Sequence, residues 1–143
     1  MRIGAILAAK PSSGVVTVSR DAAVRELLAV LAEHNIGACV VSDDGAALGG
    51  IVSERDVVRR LHADPAVLDR PVSAIMTGHV TTCGEEDTLD EVMGVMTQGR
   101  FRHLPVLRDG VLVGVVSIGD LVKHRIEELT FERDQLDSYV HQV

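Results

Sequence analysis

The residues best suited to chemistry in this sequence form two Ser-x-x-Asp groups, each at the end of an apolar run. Ser53 and Asp56 lie in GIVSERD, and Ser117 and Asp120 lie in GVVSIGD. An exposed carboxylate where a strand meets a helix can accept both hydroxyls of a ribose, while the free amides and the helix dipole favour a phosphate nearby. The same spacing is equally typical of a capping box, in which the pair only satisfies the helix N-terminus.

The elements that position these groups belong to an internal repeat. Shifting the sequence by 65 residues lays 15–41 over 80–106 with coinciding apolar positions. A shift of 64 lays 50–56 over 114–120, where four of the seven residues are identical, and 3–7 resembles 72–76. The sequence therefore predicts one repeat over residues 1–62, a connector over 63–71, a second repeat over 72–128 and a helical extension over 129–143.

Each repeat is predicted to have the order β-α-β-β-α. A short strand (15–18 or 80–82) precedes an amphipathic helix, and a strand at 38–41 or 104–107 leads into a hairpin at Asp44-Gly45 or Asp109-Gly110. The returning strand ends at residue 52 or 116, and a second helix follows. About 60 residues bury too little surface to be robust alone. We therefore expect an α+β fold in which two repeats pack with pseudo-twofold symmetry.

Composition excludes several classes of function. The 143 residues carry 14 basic and 21 acidic side chains, a net charge of −7, and only Phe101, Phe131 and Tyr139 are aromatic. An acidic chain with so few rings is a poor nucleic-acid binder. Charges interrupt every apolar run before the roughly 18 residues of a membrane span, and residues 1–10 lack a signal-peptide pattern, so a cytoplasmic protein is expected.

The sequence offers no recognisable catalytic machinery. Cys39 and Cys83 lie far apart without a CxxC, and the histidines lack metal-ligand spacing, which argues against a disulfide or a metal site. A nucleophile elbow, a Walker loop and a dinucleotide-binding glycine fingerprint are also absent from the sequence. We expect no enzyme and no catalytic cofactor.

The tandem order, the doubled G-h-h-S-x-x-D ending and the strand RHLPV at 102–106 resemble a pair of cystathionine-β-synthase-type repeats, the CBS pair or Bateman module. The resemblance covers residues 3–125. It implies a regulatory module that binds adenine-containing ligands, such as AMP, ADP, ATP, NAD or S-adenosylmethionine, in two clefts between the repeats. It also implies a homodimer and an unidentified protein that the module regulates.

The resemblance also implies roles for individual residues. Asp56 in one cleft and Asp120 in the other would hold ribose hydroxyls, with Ser53 and Ser117 near the ribose and phosphate. Two segments would line the adenine pockets, and two threonines on the first strands would add contacts: Ile36, Gly37, Ala38 and Cys39; Phe101, Arg102, His103 and Leu104; Thr17 and Thr82.

The two clefts are not expected to be equal. Arg102 and His103 align with Gly37 and Ala38, and in the gamma subunits of AMP-activated protein kinase, which this region resembles, basic residues here contact phosphate. An arginine adds charge-assisted donors that Gly and Ala lack. We therefore predict that the Asp120 cleft binds the more phosphorylated or tighter ligand. Three further cations are either phosphate contacts or solvated helix charges: Arg55, Arg59 and Lys123.

The C-terminal helix over 121–140 carries an apolar stripe, interrupted by Arg133, that extends past the second repeat. Its members are Val122, Ile126, Leu129, Leu136 and Val140. The stripe favours a dimer contact over simple packing on the sheet. An alternative function is therefore a structural dimerisation module with no physiological nucleotide.

Overall fold

The computed structural model describes residues 1–10 and 15–141. In these residues five α-helices and six strands follow one another, with two short 3-10 turns, Pro65–Asp69 and Val72–Ala74, between the repeats. The elements are α1 (Ile3–Ala8), β1 (Thr17–Val18), α2 (Val24–His34), β2 (Ala38–Val41), β3 (Gly50–Ser53), α3 (Glu54–Ala63), β4 (Cys83–Gly84), α4 (Leu89–Gly99), β5 (His103–Arg108), β6 (Val111–Ser117) and α5 (Ile118–His141).

The strands form two three-stranded sheets with the same topology. In the orders β1-β2-β3 and β4-β5-β6, the first pair is parallel and the second antiparallel. The register also repeats, because Val18 pairs with Val41 and Cys83 pairs with Val106. The predicted α+β fold with two tandem β-α-β-β-α units is confirmed.

Several strand ends differ from the prediction by a few residues, including β1, which begins at Thr17 and not at residue 15. The strand expected at 80–82 is displaced to Cys83–Gly84, because only these residues pair with β5, and Thr82 lies just before it. Between β5 and β6, Asp109 and Gly110 form the expected two-residue turn, with φ of 51° and 79°. The first repeat has a longer loop at 42–49, where Gly45 has φ of 79°.

The amphipathic helices α2 and α4 are delimited by local signals. Val24, Leu27 and Leu31 are buried on α2, at the three-to-four spacing of one helix face. Thr88 and Glu91 form a capping box at the start of α4. The helices end at equivalent left-handed residues, Asn35 with φ of 51° and Arg100 with φ of 57°.

The repeats exchange the segments that precede them. Ile3 and Ile6 of α1 belong to the core of the second repeat, whereas Val72 and Ile75 belong to the core of the first. The exchanged segments are held by matching backbone bonds: the Ile3 amide donates to the Asp87 carbonyl at 2.9 Å, and the Val72 amide donates to the Ala22 carbonyl at 2.8 Å. Each hydrophobic core is therefore completed by the leading segment of the other repeat.

Helix α5 begins inside the second repeat and extends beyond it. Leu121 and His124 are buried in its first turns, whereas every described residue from 129 onward is exposed. The amino group of Met1 lies 3.3 Å from Glu128 Oε1, near the point where α5 leaves the domain. None of the helices in residues 1–10 and 15–141 combines the length and the apolar character that crossing a membrane requires.

Candidate functional site

Both Ser-x-x-Asp groups form capping boxes. The Ser53 amide donates to Asp56 Oδ2 at 2.8 Å, and the Asp56 amide donates to Ser53 Oγ at 3.3 Å. The equivalent distances at Ser117 and Asp120 are 2.9 Å and 3.1 Å. These bonds use Oδ2 of each carboxylate, which leaves Oδ1 as a further acceptor. Capping a helix and accepting a ligand hydroxyl are therefore compatible in one side chain.

A cavity of about 420 Å³ lies between the repeats, with Ser117 and Asp120 on its wall. This volume is within the usual range for small-molecule sites. The wall combines both repeats and the N-terminal segment, and the remaining members are Leu7, Lys10, Val15, Val16, Asn35, Ile36, Gly37, Ala38, His103, Val113, Gly114 and Val115. Aliphatic groups from both repeats thus enclose a space that has a carboxylate, a hydroxyl, an ammonium group and an imidazole on its wall.

Lys10 forms an ion pair with the Asp120 carboxylate in this cavity. Its Nζ donates to Asp120 Oδ2 at 2.9 Å and to the Val115 carbonyl at 3.0 Å. Lys10 was not predicted from the sequence as a cavity residue. A signal was present, because aligning the exchanged segments 3–10 and 72–79 sets Lys10 against His79, but that alignment does not say which carboxylate the side chain reaches.

The charges in the cavity shift two pKa values. Burial raises the pKa of the Asp120 carboxyl, but the Ser117 amide and Lys10 outweigh it and hold this pKa below its usual range. Burial, reinforced by Lys10, lowers the pKa of the His103 imidazole from 6.5. Near neutral pH the wall therefore carries a Lys10–Asp120 ion pair and a neutral imidazole.

Several residues predicted for the two clefts lie together on this wall. Asp120 and Ser117 come from the second repeat at the start of α5, and His103 comes from the first residue of β5. The segment before and at the start of β2 supplies Ile36, Gly37 and Ala38. The cavity thus joins the Ser-x-x-Asp group of one repeat to the 36–38 segment of the other.

Other predicted residues lie elsewhere. The Arg102 side chain is exposed and does not line the Asp120 cavity, and Phe101 packs its ring over Gly99. Leu104 is 1% exposed, in the core of the second repeat. The rest are also outside the wall of this cavity: Cys39 is buried in β2, Thr17 and Thr82 are half-buried, Ser53 and Asp56 cap α3, and Arg55, Arg59 and Lys123 are exposed on α3 and α5.

Arg102 is absent from this wall because the 36–38 segment of the first repeat, and not its own segment, lies beside Asp120. The Glu54 amide at the start of α3 donates to the Gly37 carbonyl at 3.0 Å, and the Ile118 amide at the start of α5 donates to the Arg102 carbonyl at 2.8 Å. Gly37 is thus bonded to the helix of Asp56 but lines the cavity of Asp120. The structure therefore does not bring Arg102 to the cavity wall with Asp120, the Asp of its own repeat, and its role in a cleft stays a prediction.

The Asp56 side is closed differently. Ile51, the equivalent of Val115, exchanges two backbone hydrogen bonds with Thr77, at 3.0 Å and 2.9 Å. On the Asp120 side, the flexible Lys10 side chain is the group bonded to the Val115 carbonyl. The strand residue on the Asp56 side, Ile51, is thus bonded to backbone, whereas its equivalent on the Asp120 side, Val115, is bonded to a side chain.

The thiols and metal-ligating side chains provide no second site. Burial raises the pKa of the Cys39 thiol to about 11, and burial together with Asp87 does the same for Cys83. Both cysteines are free. Across residues 1–10 and 15–141, no three His, Cys, Asp or Glu side chains are grouped closely enough to hold a metal ion.

Comparison with protein families identifies both halves of the chain. The family described as CBS domain matches residues 3–63 and 72–127. The chain is 34% identical over 125 residues to the mitochondrial CBS domain-containing protein CBSX3 of Arabidopsis thaliana, covering 84% of this chain and 61% of that protein. It is 30% identical to the CBS domain-containing protein YhcV of Bacillus subtilis over 112 residues, which cover 78% of this chain and 79% of that protein.

Solved structures share the fold. The CBS-domain containing protein ATU1752 of Agrobacterium tumefaciens has a TM-score of 0.82 at 41% identity, covering 87% of this chain and 99% of that one. A putative signal-transduction protein with CBS domains from Burkholderia ambifaria has a TM-score of 0.83 at 38% identity, covering 89% and 95%. The CBS domain protein PAE2072 of Pyrobaculum aerophilum, solved in complex with AMP, has a TM-score of 0.73 at 28% identity, covering 84% and 89%.

Proposed function

The chain belongs to the CBS-domain family, and we propose that it is a regulatory module that binds an adenosine-type ligand in the cavity between its two repeats. The observation that carries the proposal is the position of Asp120, whose carboxylate lies on the wall of a 420 Å³ cavity that combines aliphatic side chains with polar groups. The related protein PAE2072 binds AMP. An adenosine needs an apolar slot for its base and an acceptor for its ribose, and this wall offers both.

The proposed pose assigns a part of the ligand to each part of the wall. The adenine ring lies between the aliphatic side chains of Val16 and Ile36, and backbone groups of 36–38 form hydrogen bonds with the edge of the ring. The ribose hydroxyls donate to Asp120. The Ser117 hydroxyl and the positive end of α5 lie near the first phosphate, where free amides favour an anion. AMP, ADP, ATP, NAD and S-adenosylmethionine all contain the adenosine that this pose requires.

A second ligand is proposed for the Asp56 side. Asp56 and Ser53 have the same capping geometry as Asp120 and Ser117. Repeat symmetry assigns Phe101 and Arg102 the wall positions that Ile36 and Gly37 have in the Asp120 cavity. The exposed Arg102 guanidinium then supplies the phosphate contact of that cleft.

The output of the module is proposed to be a change in the surface it presents. A ligand that contacts both repeats stabilises one relative position of the two sheets, which a separate protein can recognise. The proposal assigns the chain no catalytic step, and it retains the cytoplasmic location expected from the sequence.

The test is a thermal-shift and calorimetry screen of nucleotide-free protein against AMP, ADP, ATP, NAD and S-adenosylmethionine. A ligand at a hundredfold excess over Kd stabilises the folded state by about 2.7 kcal/mol, so the midpoint of melting rises. Asp120→Ala should remove the binding event of the Asp120 cavity. Asp56→Ala is the matched variant, because it removes an equivalent capping box and leaves that event in place. The proposal is wrong if none of the five ligands shifts the midpoint of the wild-type protein.

A second candidate function is dimerisation through α5, and one observation favours it. Four side chains of the stripe, at the end of the second repeat and beyond it, are half or more exposed: Ile126 (58%), Leu129 (50%), Leu136 (65%) and Val140 (64%). Burying this stripe against a second copy gains roughly 25 cal/mol for each Å² of apolar surface removed from water. A chain ending at Glu128 should be monomeric in sedimentation equilibrium and still bind nucleotide. If it has the mass of the full chain's assembly, α5 is not the contact.

A further inference from the structure

The Asp120 carboxylate, to which the proposed function assigns the ribose, already has a partner of its own. Lys10 Nζ lies 2.9 Å from Asp120 Oδ2, and the two side chains are 31% and 24% exposed. This ammonium comes from the segment that follows α1, and it bonds the same oxygen, Oδ2, to which the Ser117 amide donates. A ligand that enters the cavity therefore meets an ion pair and not an isolated carboxylate.

The ion pair imposes a condition on the ligand. Oδ1 of Asp120 can accept one ribose hydroxyl freely, but a second hydroxyl at Oδ2 competes with a charge-assisted hydrogen bond from Lys10, which is stronger than one between neutral groups. Separating the partners also leaves an ammonium in a partly buried site, where an uncompensated charge is costly. The second acceptor of Lys10, the Val115 carbonyl at 3.0 Å, is a neutral dipole and compensates only part of that charge.

The other ionisable groups around the cavity do not replace Asp120 as a partner for Lys10. His103 lies on the wall, but its pKa is lowered and its imidazole is neutral near pH 7. The Glu54 carboxylate lies beside Gly37, close enough to His103 to affect its pKa, but within the described part of the chain the ion pair of Lys10 is with Asp120. Arg102, which also acts on that pKa, has the same charge as Lys10. An anion on the ligand is therefore the natural new partner of the displaced ammonium.

We propose that Lys10 makes the Asp120 cavity selective for adenosine ligands that carry an anionic group. In the ligand-free protein the ammonium is paired with Asp120. When a ligand binds, its ribose hydroxyls take the carboxylate and the ammonium moves to the ligand's phosphate. The flexible four-carbon stem of lysine allows this change of partner without a change in backbone. The inference rests on the proposed function and adds the chemical class that the cavity accepts.

The test compares AMP with adenosine, which share the base and the ribose and differ in the phosphate. Isothermal titration should give the wild-type protein a clear preference for AMP. Lys10→Met should reduce the AMP-to-adenosine affinity ratio by about tenfold or more, the scale of one charge-assisted hydrogen bond. Adenosine itself should bind Lys10→Met at least as tightly as wild type, because its ribose no longer competes with an ammonium. Lys10→Arg should retain the preference for AMP.

The controls separate this inference from the proposed function. Arg60→Met removes an exposed cation on α3, away from the cavity wall, and should leave the ratio at its wild-type value. On unmodified protein, added salt should weaken AMP binding more than adenosine binding. An unchanged ratio in Lys10→Met, with both ligands bound, overturns the role of Lys10 and leaves the proposed function intact. If wild-type protein binds neither ligand, the proposed function fails and the selectivity fails with it.

Discussion

Charged side chains from both repeats affect the pKa of His103. Its imidazole lies on the Asp120 cavity wall, and its Cε1 is 3.9 Å from where a Cβ on Gly37 would lie. Burial and Lys10 favour the neutral form of the ring, while Asp120 and Glu54 favour the charged form. The balance lowers the pKa of His103, so protonation of this side chain opposes the folded state.

His103 should make the folded protein sensitive to mild acid. As the pH falls through 6.5, the unfolded chain takes up the proton at this side chain before the folded one does, so the free energy of unfolding decreases. Urea denaturation at about pH 7.5 and about pH 5.5 measures the loss. His103→Asn should lose less stability between these pH values than the wild type, and the exposed His34→Asn should behave as wild type. Equal losses in all three proteins would contradict the assignment.

The candidate site was predictable only in part from the residue sequence. Ser117 and Asp120 were found because their spacing repeats and has a chemical meaning in both copies. Lys10 was not found, because its role depends on α1 crossing to the other repeat, which brings together residues 110 positions apart. Arg102 and His103 are adjacent in sequence, yet only His103 lines the cavity, and side-chain direction at the start of a strand is set by register.

At the scale of elements, the first glycine of each motif lets an exchanged segment pack against a strand. A Cβ on Gly50 of β3 would lie 2.8 Å from the Thr77 carbonyl oxygen, and one on Gly114 of β6 would lie 2.7 Å from Leu7 Cδ2. Both contacts are too short for a carbon atom. Gly50 is therefore needed for the close approach of backbone, whereas at Gly114 the flexible end of the Leu7 side chain can move aside.

Two glycine substitutions should have opposite effects on stability. Gly50→Ala forces a methyl group against a backbone carbonyl that is fixed by the Ile51–Thr77 bridge, and should lower the free energy of unfolding by about 1–3 kcal/mol. Gly94→Ala, in the exposed middle of α4 with nothing within 4 Å, should raise it by about 0.5–1 kcal/mol. Urea denaturation of both variants provides the comparison. Similar effects of the same sign would show that the short contact at Gly50 does not constrain the fold.

Most elements could be predicted because apolar spacing and turn residues are local signals. The helix starts after Ser53 and Ser117 and the turn at Asp109-Gly110 are set within a few residues. The exchange of leading segments could not be predicted, because Ile3 and Ile6 have the same spacing as Val72 and Ile75 and would suit either core. The path of the chain between the repeats decides which segment packs into which core, and the spacing of apolar residues does not indicate that path.

At the scale of the molecule, the two repeats are joined by more than a connector. Val67, Val72 and Ile75 complete the first core, and Ile3 and Ile6 complete the second. The hairpins also touch, because the Leu112 amide donates to the Ala46 carbonyl at 2.9 Å. The described residues therefore form two hydrophobic cores, each of which contains residues from outside its own repeat.

Fragments cut between the repeats should fold only together. Residues 1–64 lack three apolar side chains of the first core, and residues 65–143 lack both isoleucines of the second. Losing one large buried aliphatic side chain typically costs about 2–5 kcal/mol, comparable to the whole stability of a small domain. Circular dichroism should show each fragment without a cooperative thermal transition and the equimolar mixture with one. A cooperative transition in residues 65–143 alone would contradict the dependence on α1.

The exchanged segments also limit which parts of this fold can be transferred to another protein by gene recombination. A recombination event that carried only one repeat would transfer a core without the segment that completes it, and would leave a second incomplete core behind. The smallest portable unit is therefore the pair, with the residues that precede its first strand included.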